Sequence, residues 1–294
     1  MLHEVHGCNA RTPLLAQREF YRRIALAQLE AGIKDPVLVV HNTDKVELPA
    51  YTFATHLLNG EQVRQASSTL LHNKKDILDS YGIDIFASEL GTLPWGITNS
   101  VYMPIDRLSE KNGGDEEDAP YKFRMDKAIF AATLIHNTIP CLWRNHLGMF
   151  DKLIRIYDRF GVDKADFIGY WREPAKVDGA KDIYVSCFVS KDRKKLLAVI
   201  GHVGKEHVNQ DFTITFDLNK LGLKARLKNA VDTMPAPDPE YQELFDLQKK
   251  YKVPPVRGPI LMENANFGSK VNGFDGRALK MHLDFHCFAI VEME

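Results

Sequence analysis

Apolar and polar positions change rhythm once along this chain. Up to about residue 171, apolar runs of strand length alternate with stretches that repeat every three to four residues; from about residue 182, runs of period two follow one another with almost no helix between them. Thr12-Pro13 gives a cap and first-turn signal, Leu14, Leu15, Phe20, Ile24, Ala27 and Leu29 fall near one helical stripe, and Gly32 stops it. This predicts an amphipathic helix over 14–31. The runs 37–41, 83–88, 138–143 and 167–171 read as strands buried on both faces, as in a parallel sheet. Helices are expected at 76–81, 123–135 and 150–160, the last ending at Gly161.

The second rhythm predicts an all-β section. Strands are expected at 182–189 and 195–201 around the polar turn 190–194, then at 211–217 and 285–292, and the charged stretch 239–251 reads as a solvent-facing helical insertion. The fold class is therefore α/β followed by all-β, with a junction between Trp171 and Asp182, where Pro174 and Gly179 interrupt the pattern. Residues 1–176 read as a partial (β/α) barrel of about four strands and 177–294 as a C-terminal antiparallel β-sandwich. A closed barrel of this type needs eight strands. The opening Met-Leu-His-Glu-Val-His-Gly-Cys reads as an entry into the middle of a fold, so self-association or a partner chain completing the barrel is expected.

Composition narrows the partners. With Lys+Arg 38 against Asp+Glu 39, the net charge is −1, and no global field favours nucleic acid or an anionic membrane. The apolar runs fall far short of the roughly 20 residues that span a bilayer, and no leader is recognisable, which leaves the compartment open. Cys8, Cys141, Cys187 and Cys287 form no C-x-x-C pair; the last three sit in apolar strand runs and read as buried thiols. His41, His56 and His136 lack ligand spacing, so no metal is expected, and without phosphate-loop or dinucleotide motifs no cofactor is expected.

In parallel α/β architectures chemistry gathers at the C-terminal strand ends. The expected ends carry His41 and Asn42, Glu89 with Trp95, Trp143 with Arg144, and Tyr170 with Trp171, all on one rim. Carboxylates, an amide, a guanidinium and three indoles suit a glycoside, whose cleavage generally needs two carboxyl groups flanking the bond. Glu89 is the leading acid or base and Glu61 the second; the alternatives are a carboxylate capping loop amides and a first-turn helix acid. For the tryptophans, core packing competes with sugar stacking. Arg144 either donates to substrate or pairs with an acid.

The residues also carry a resemblance. His6-Gly7-Cys8, the stretch Leu15-Ala16-Gln17-Arg18-Glu19-Phe20-Tyr21-Arg22-Arg23-Ile24, His41-Asn42 at a strand end, Pro49-Ala50-Tyr51-Thr52-Phe53 and Asn59-Gly60-Glu61 resemble the second half of the catalytic barrel in glycoside hydrolase family 123-like proteins. The run from Val185 to Val203 resembles the β domain that follows such barrels. The resemblance implies hydrolysis of N-acetylhexosaminides, assisted by the substrate's acetamido group and an adjacent Asp-Glu pair. Here adjacent acids occur only in the loop Asp115-Glu116-Glu117-Asp118, so the resemblance assigns no catalytic pair to this chain. A glycoside hydrolase-like protein acting on or binding an oligosaccharide is one reading, and a non-catalytic carbohydrate-binding or structural module the other.

Overall fold

The computed structural model describes residues 12–41, 49–60, 77–90, 97–102, 119–141, 147–235 and 267–294. After helix α1 (Thr12–Glu30), strands β1 (Val39–His41), β2 (His56–Asn59), β3 (Thr98–Tyr102) and β4 (Ile139–Cys141) form a sheet of parallel pairs in the order β1-β2-β3-β4. Helix α2 (Ala119–Leu134) leads into β4, and α3 (Leu147–Phe160) follows it. Gly161, in the left-handed region at φ 78°, ends α3 by turning its N–H back to the Tyr157 carbonyl.

Two of the four expected parallel strands are elsewhere. Residues 83–88 are helical, with an α turn at Ile83–Ile85 continuing into a π turn at Phe86–Leu90. Ile77, Leu78 and Phe86 are buried while Asp84 and Ile85 are exposed, so helical spacing on the core outweighs the β-branched run. The run at 167–171 supplies only β5 (Asp166–Ile168), which pairs antiparallel with β7 (Ile183–Val189). Strands β2 and β3 take their places in the parallel sheet. The expected helix at 239–251 and the acidic loop at 110–118 lie outside the described residues.

Strands β5 and β7 belong to a five-stranded antiparallel sheet. It is completed by β8 (Leu196–His202), β10 (Ala230–Asp232) and β13 (Phe288–Met293), in the order β10-β13-β8-β7-β5. A second antiparallel sheet joins β6 (Ala175–Asp178), β9 (Gln210–Phe216), β11 (Ser269–Phe274) and β12 (Ala278–Leu283), in the order β11-β12-β9-β6. Strand β5 and the start of β6, ahead of residue 177, already pair antiparallel. The turn 190–194 and strands β7, β8, β9 and β13 stand where the period-two pattern predicts them.

One continuous core runs through both halves of the chain. Strand β8 is buried along its whole length, and β9 alternates, with Phe212, Ile214 and Phe216 inside. Helix α2 covers one face of β8 and β13. A Cβ added to Gly201 would stand 2.8 Å from the Ala131 carbonyl oxygen and 3.1 Å from Ile135 Cγ2, and Phe130 stacks on Phe288 with ring centroids 5.3 Å apart. By strand alternation Leu197 and Val199 share that face, while Leu196, Ala198 and Ile200 face the other way. Cys187 and Cys287 are fully buried free thiols, as their apolar surroundings predict, and burial pushes Cys287 up to about 12. Helix α1 departs from its expected role, since Leu15, Phe20, Leu26 and Leu29 on it are exposed, as are Val37 and Val39 beside it.

Gly201→Ala forces α2 away from β8 and is expected to destabilise the fold by about 1–3 kcal/mol, the usual cost of overfilling a packed core. Gly273→Ala on β11, where nothing lies within 4 Å of the added Cβ, is expected to change little. Urea unfolding of the two variants beside the parent measures the difference.

Candidate functional site

The C-terminal end of the parallel sheet carries His41, exposed at the end of β1, and Asn59-Gly60 at the end of β2. Asn59 is buried, and its Oδ1 accepts the Gly60 N–H at 2.9 Å. Asn42, Glu61, Trp95, Trp143 and Arg144 lie outside the described residues. Glu89 has its backbone in the π turn ahead of β3, not beyond the end of a strand. Tyr170 and Trp171 are described, and they do not join His41. Because β5 runs antiparallel to β7, the 3-10 turn Tyr170–Arg172 folds against the lead-in to β4, at the N-terminal end of that strand. A rim shared by all these residues required 83–88 and 167–171 to be parallel strands, and neither is.

Tyr170 and Trp171 instead build an aromatic shelf around His136. The His136 and Trp171 rings stack with centroids 6.3 Å apart, and Tyr170 meets His136 edge-on at 5.4 Å. His136 Nδ1–H donates to the Ala132 carbonyl at 2.6 Å, so Nε2 accepts from the Tyr170 hydroxyl at 3.1 Å. Burial lowers the His136 pKa, against the pull of the hydrogen bond to the Ala132 carbonyl. Ser186 locks the turn by accepting the Tyr170 N–H at 3.0 Å and donating to the Ile135 carbonyl at 2.6 Å. A Cβ at Gly169 would overlap the Trp171 ring, so glycine is what lets the indole lie flat across the backbone. Trp171 remains 43% exposed. Burial raises the Tyr170 and Tyr184 pKa values, with the Asp84 charge contributing to both. A rigid, partly exposed indole with a carboxylate and two phenols nearby is suited to holding the apolar face of a ring whose edge carries hydroxyls.

The antiparallel sheets hold a second concave feature, a cleft of about 850 Å³. Asp232 at the end of β10 and Ser269 at the start of β11 line it with His282 and Asp284, against apolar walls that include Val271 and Phe267. Asp232 is buried, and neither its carboxylate oxygens nor Ser269 Oγ makes a hydrogen bond of good geometry. Burial pushes the Asp232 carboxyl up to about 6, against the pull of Ser269, the Met234 N–H and the Lys152 charge. Two buried lysines brace the surroundings: Lys152 Nζ donates to the Met234 carbonyl at 2.6 Å, and Lys127 Nζ to the Phe267 carbonyl at 2.8 Å. His282 bridges Asp211 at 3.0 Å and Asp284 at 3.3 Å on the outer side. Sequence reasoning missed Asp232 because a three-residue strand, Ala-Val-Asp, carries no period to mark its buried face.

Comparison with known proteins bears on residues 151–264, which match a family model described as the C-terminal domain of glycoside hydrolase 123. No curated protein matches. Among solved structures the chain is similar to a noncanonic maltogenic alpha-amylase, AmyB from Thermotoga neapolitana, at 9% identity and a TM-score of 0.47. That alignment covers 94% of this chain and 58% of the amylase chain, so the chain spans little more than half of its length.

Asp232 gives the fold a pH dependence whose sign follows from its raised pKa. Between about pH 4 and pH 6 the folded protein binds a proton that the unfolded chain releases. Stability therefore falls as pH rises through that window, and above it the folded state carries a penalty of about 3 kcal/mol. Asp232→Asn removes the ionisation. It is expected to raise the unfolding free energy at pH 8 and to lose that advantage by pH 4, as measured by denaturant titrations at the two values.

Proposed function

We propose that this chain acts on or binds carbohydrate, as part of a glycoside hydrolase-like barrel protein, a reading that starts from the likeness of residues 151–264 to the glycoside hydrolase 123 C-terminal domain. The family match is the observation that carries the reading. The sequential order β1-β2-β3-β4 supports a half (β/α) barrel, because neighbours in such a barrel follow one another along the chain. The two antiparallel sheets around a common core support a C-terminal β-sandwich over residues 177–294, after the half barrel of residues 1–176. The ligand is a glycoside or oligosaccharide. Trp171 and Tyr170 form a stacking shelf, and His41 with Asn42 after β1 and Trp143 with Arg144 after β4 contribute a separate rim; Trp95, which precedes β3 in the chain, is a further stacking candidate. Glu89 remains the leading acid or base and Glu61 its partner.

The second reading, a non-catalytic carbohydrate-binding module, is favoured by one observation: the only adjacent acids lie in the glycine-rich stretch 110–118. Kinetics separate the two. With aryl N-acetylhexosaminides as substrates, Glu89→Gln is expected to abolish turnover while holding affinity within about tenfold, roughly 1.4 kcal/mol. Trp171→Ala is expected to weaken binding. Saturable binding with no turnover in the parent would establish the module, and an unchanged rate in Glu89→Gln would remove Glu89 from the mechanism.

The exposed apolar residues of α1 and β1 support association, either with another copy or with a chain that completes the barrel. Light scattering at about 100 µM is expected to show a species larger than the monomer, reduced by Phe20→Lys. A monodisperse monomer at that concentration would contradict it.

A further inference from the structure

Two loops of the antiparallel half meet a short helical turn of the α/β half around three potential metal ligands. The helical turn Ile77–Ser80 presents Asp79, the segment between β8 and β9 presents His207, and the turn between β12 and β13 presents His286. One ligand atom from each residue lies within 4.8 Å of those of the other two. His207 Nε2 already stands 2.6 Å from Asp79 Oδ1, and the His207 and His286 rings meet edge-to-face at 5.0 Å.

We propose that Asp79, His207 and His286 bind a divalent transition-metal ion of the zinc class, tying the α/β half of the chain to its antiparallel half. Two imidazoles and one carboxylate form a donor set that zinc accepts in four-coordinate geometry with one position open to water. The rings are held as ligands require. His286 is buried, with Nε2 2.7 Å from the Gly204 carbonyl oxygen, the kind of backbone partner that orients a metal-bound imidazole. His207 is stacked on Phe285 at 4.8 Å with the ring planes 6° apart. Burial is graded across the site: His286 is enclosed, Asp79 intermediate and His207 exposed, so an ion reaches it from solvent without opening the core. On binding, the ion takes the place of the hydrogen between His207 Nε2 and Asp79 Oδ1, and the displaced proton passes to His207 Nδ1 or to solvent. The residues come from positions 79, 207 and 286, a spacing that no sequence motif covers, and none belongs to the shelf or the cleft described above.

Titrating zinc into the chelator-treated full chain by calorimetry tests this. One equivalent is expected to bind with micromolar or tighter affinity, and the thermal midpoint to rise because the ion joins segments from both halves. His207→Ala and Asp79→Asn, both outside the buried core, are each expected to weaken binding at least tenfold, whereas His56→Ala leaves it unchanged. Cobalt(II) in place of zinc is expected to give the visible absorption of a four-coordinate site. No binding at about 100 µM zinc, or stoichiometric binding that His207→Ala and Asp79→Asn leave intact, would overturn the assignment.

Discussion

The close approach of helix α2 to strand β8 is the constraint on which the rest of this structure depends. It requires a residue without a side chain at position 201, where the Ala131 carbonyl and Ile135 occupy the space a Cβ would take. That approach buries β8 on both faces and joins α2 and α3 to the antiparallel sheets in one core, beside a smaller cluster around Val40, Tyr51 and Leu57. The same helix ends in the Ala132 carbonyl that fixes His136, and hence the aromatic shelf, and carries Lys127, which holds the chain at Phe267. The shelf and one side of the cleft are positioned from this helix, while α3 braces the other side of the cleft through Lys152.

The sequence is legible where one face of an element decides its period. Strands β7, β8, β9 and β13 and helices α2 and α3 announce themselves in this way, because their apolar positions recur at fixed spacing against the core. It is not legible where an apolar run is too short to show its period. Gly82 through Ser88 offers only four apolar residues, and burial of Phe86 together with Ile77 and Leu78 selects helix over strand. Nor does a local pattern disclose pairing partners. Phe167 and Ile168 read as a strand and are one, but their neighbour is β7 in an antiparallel sheet, and that single fact moves Tyr170 and Trp171 away from His41.

The cleft shows the same limit in its chemistry. Asp232, Ser269 and Lys152 are separated by tens of residues and meet only because β10 and β11 lie at the edges of different sheets with α3 behind them. Desolvation, a property of the assembled fold, is what raises the Asp232 pKa. Residue type and spacing are silent on it. The family match reaches the same region of the chain from a different direction, since residues 151–264 include β10 and the whole of the hairpin β7-β8.

The two buried ammonium groups also have an architectural consequence. Lys152 grips the backbone at Met234 and Lys127 grips it at Phe267, so the chain's exit from β10 and its return to β11 are each pinned to a different helix. Each ammonium serves the carbonyl of a residue that is itself buried. Replacing either lysine by an apolar residue of similar length would remove a charge-assisted hydrogen bond at one strand end and leave the clamp at the other in place, so the two ends of the excursion can be loosened one at a time.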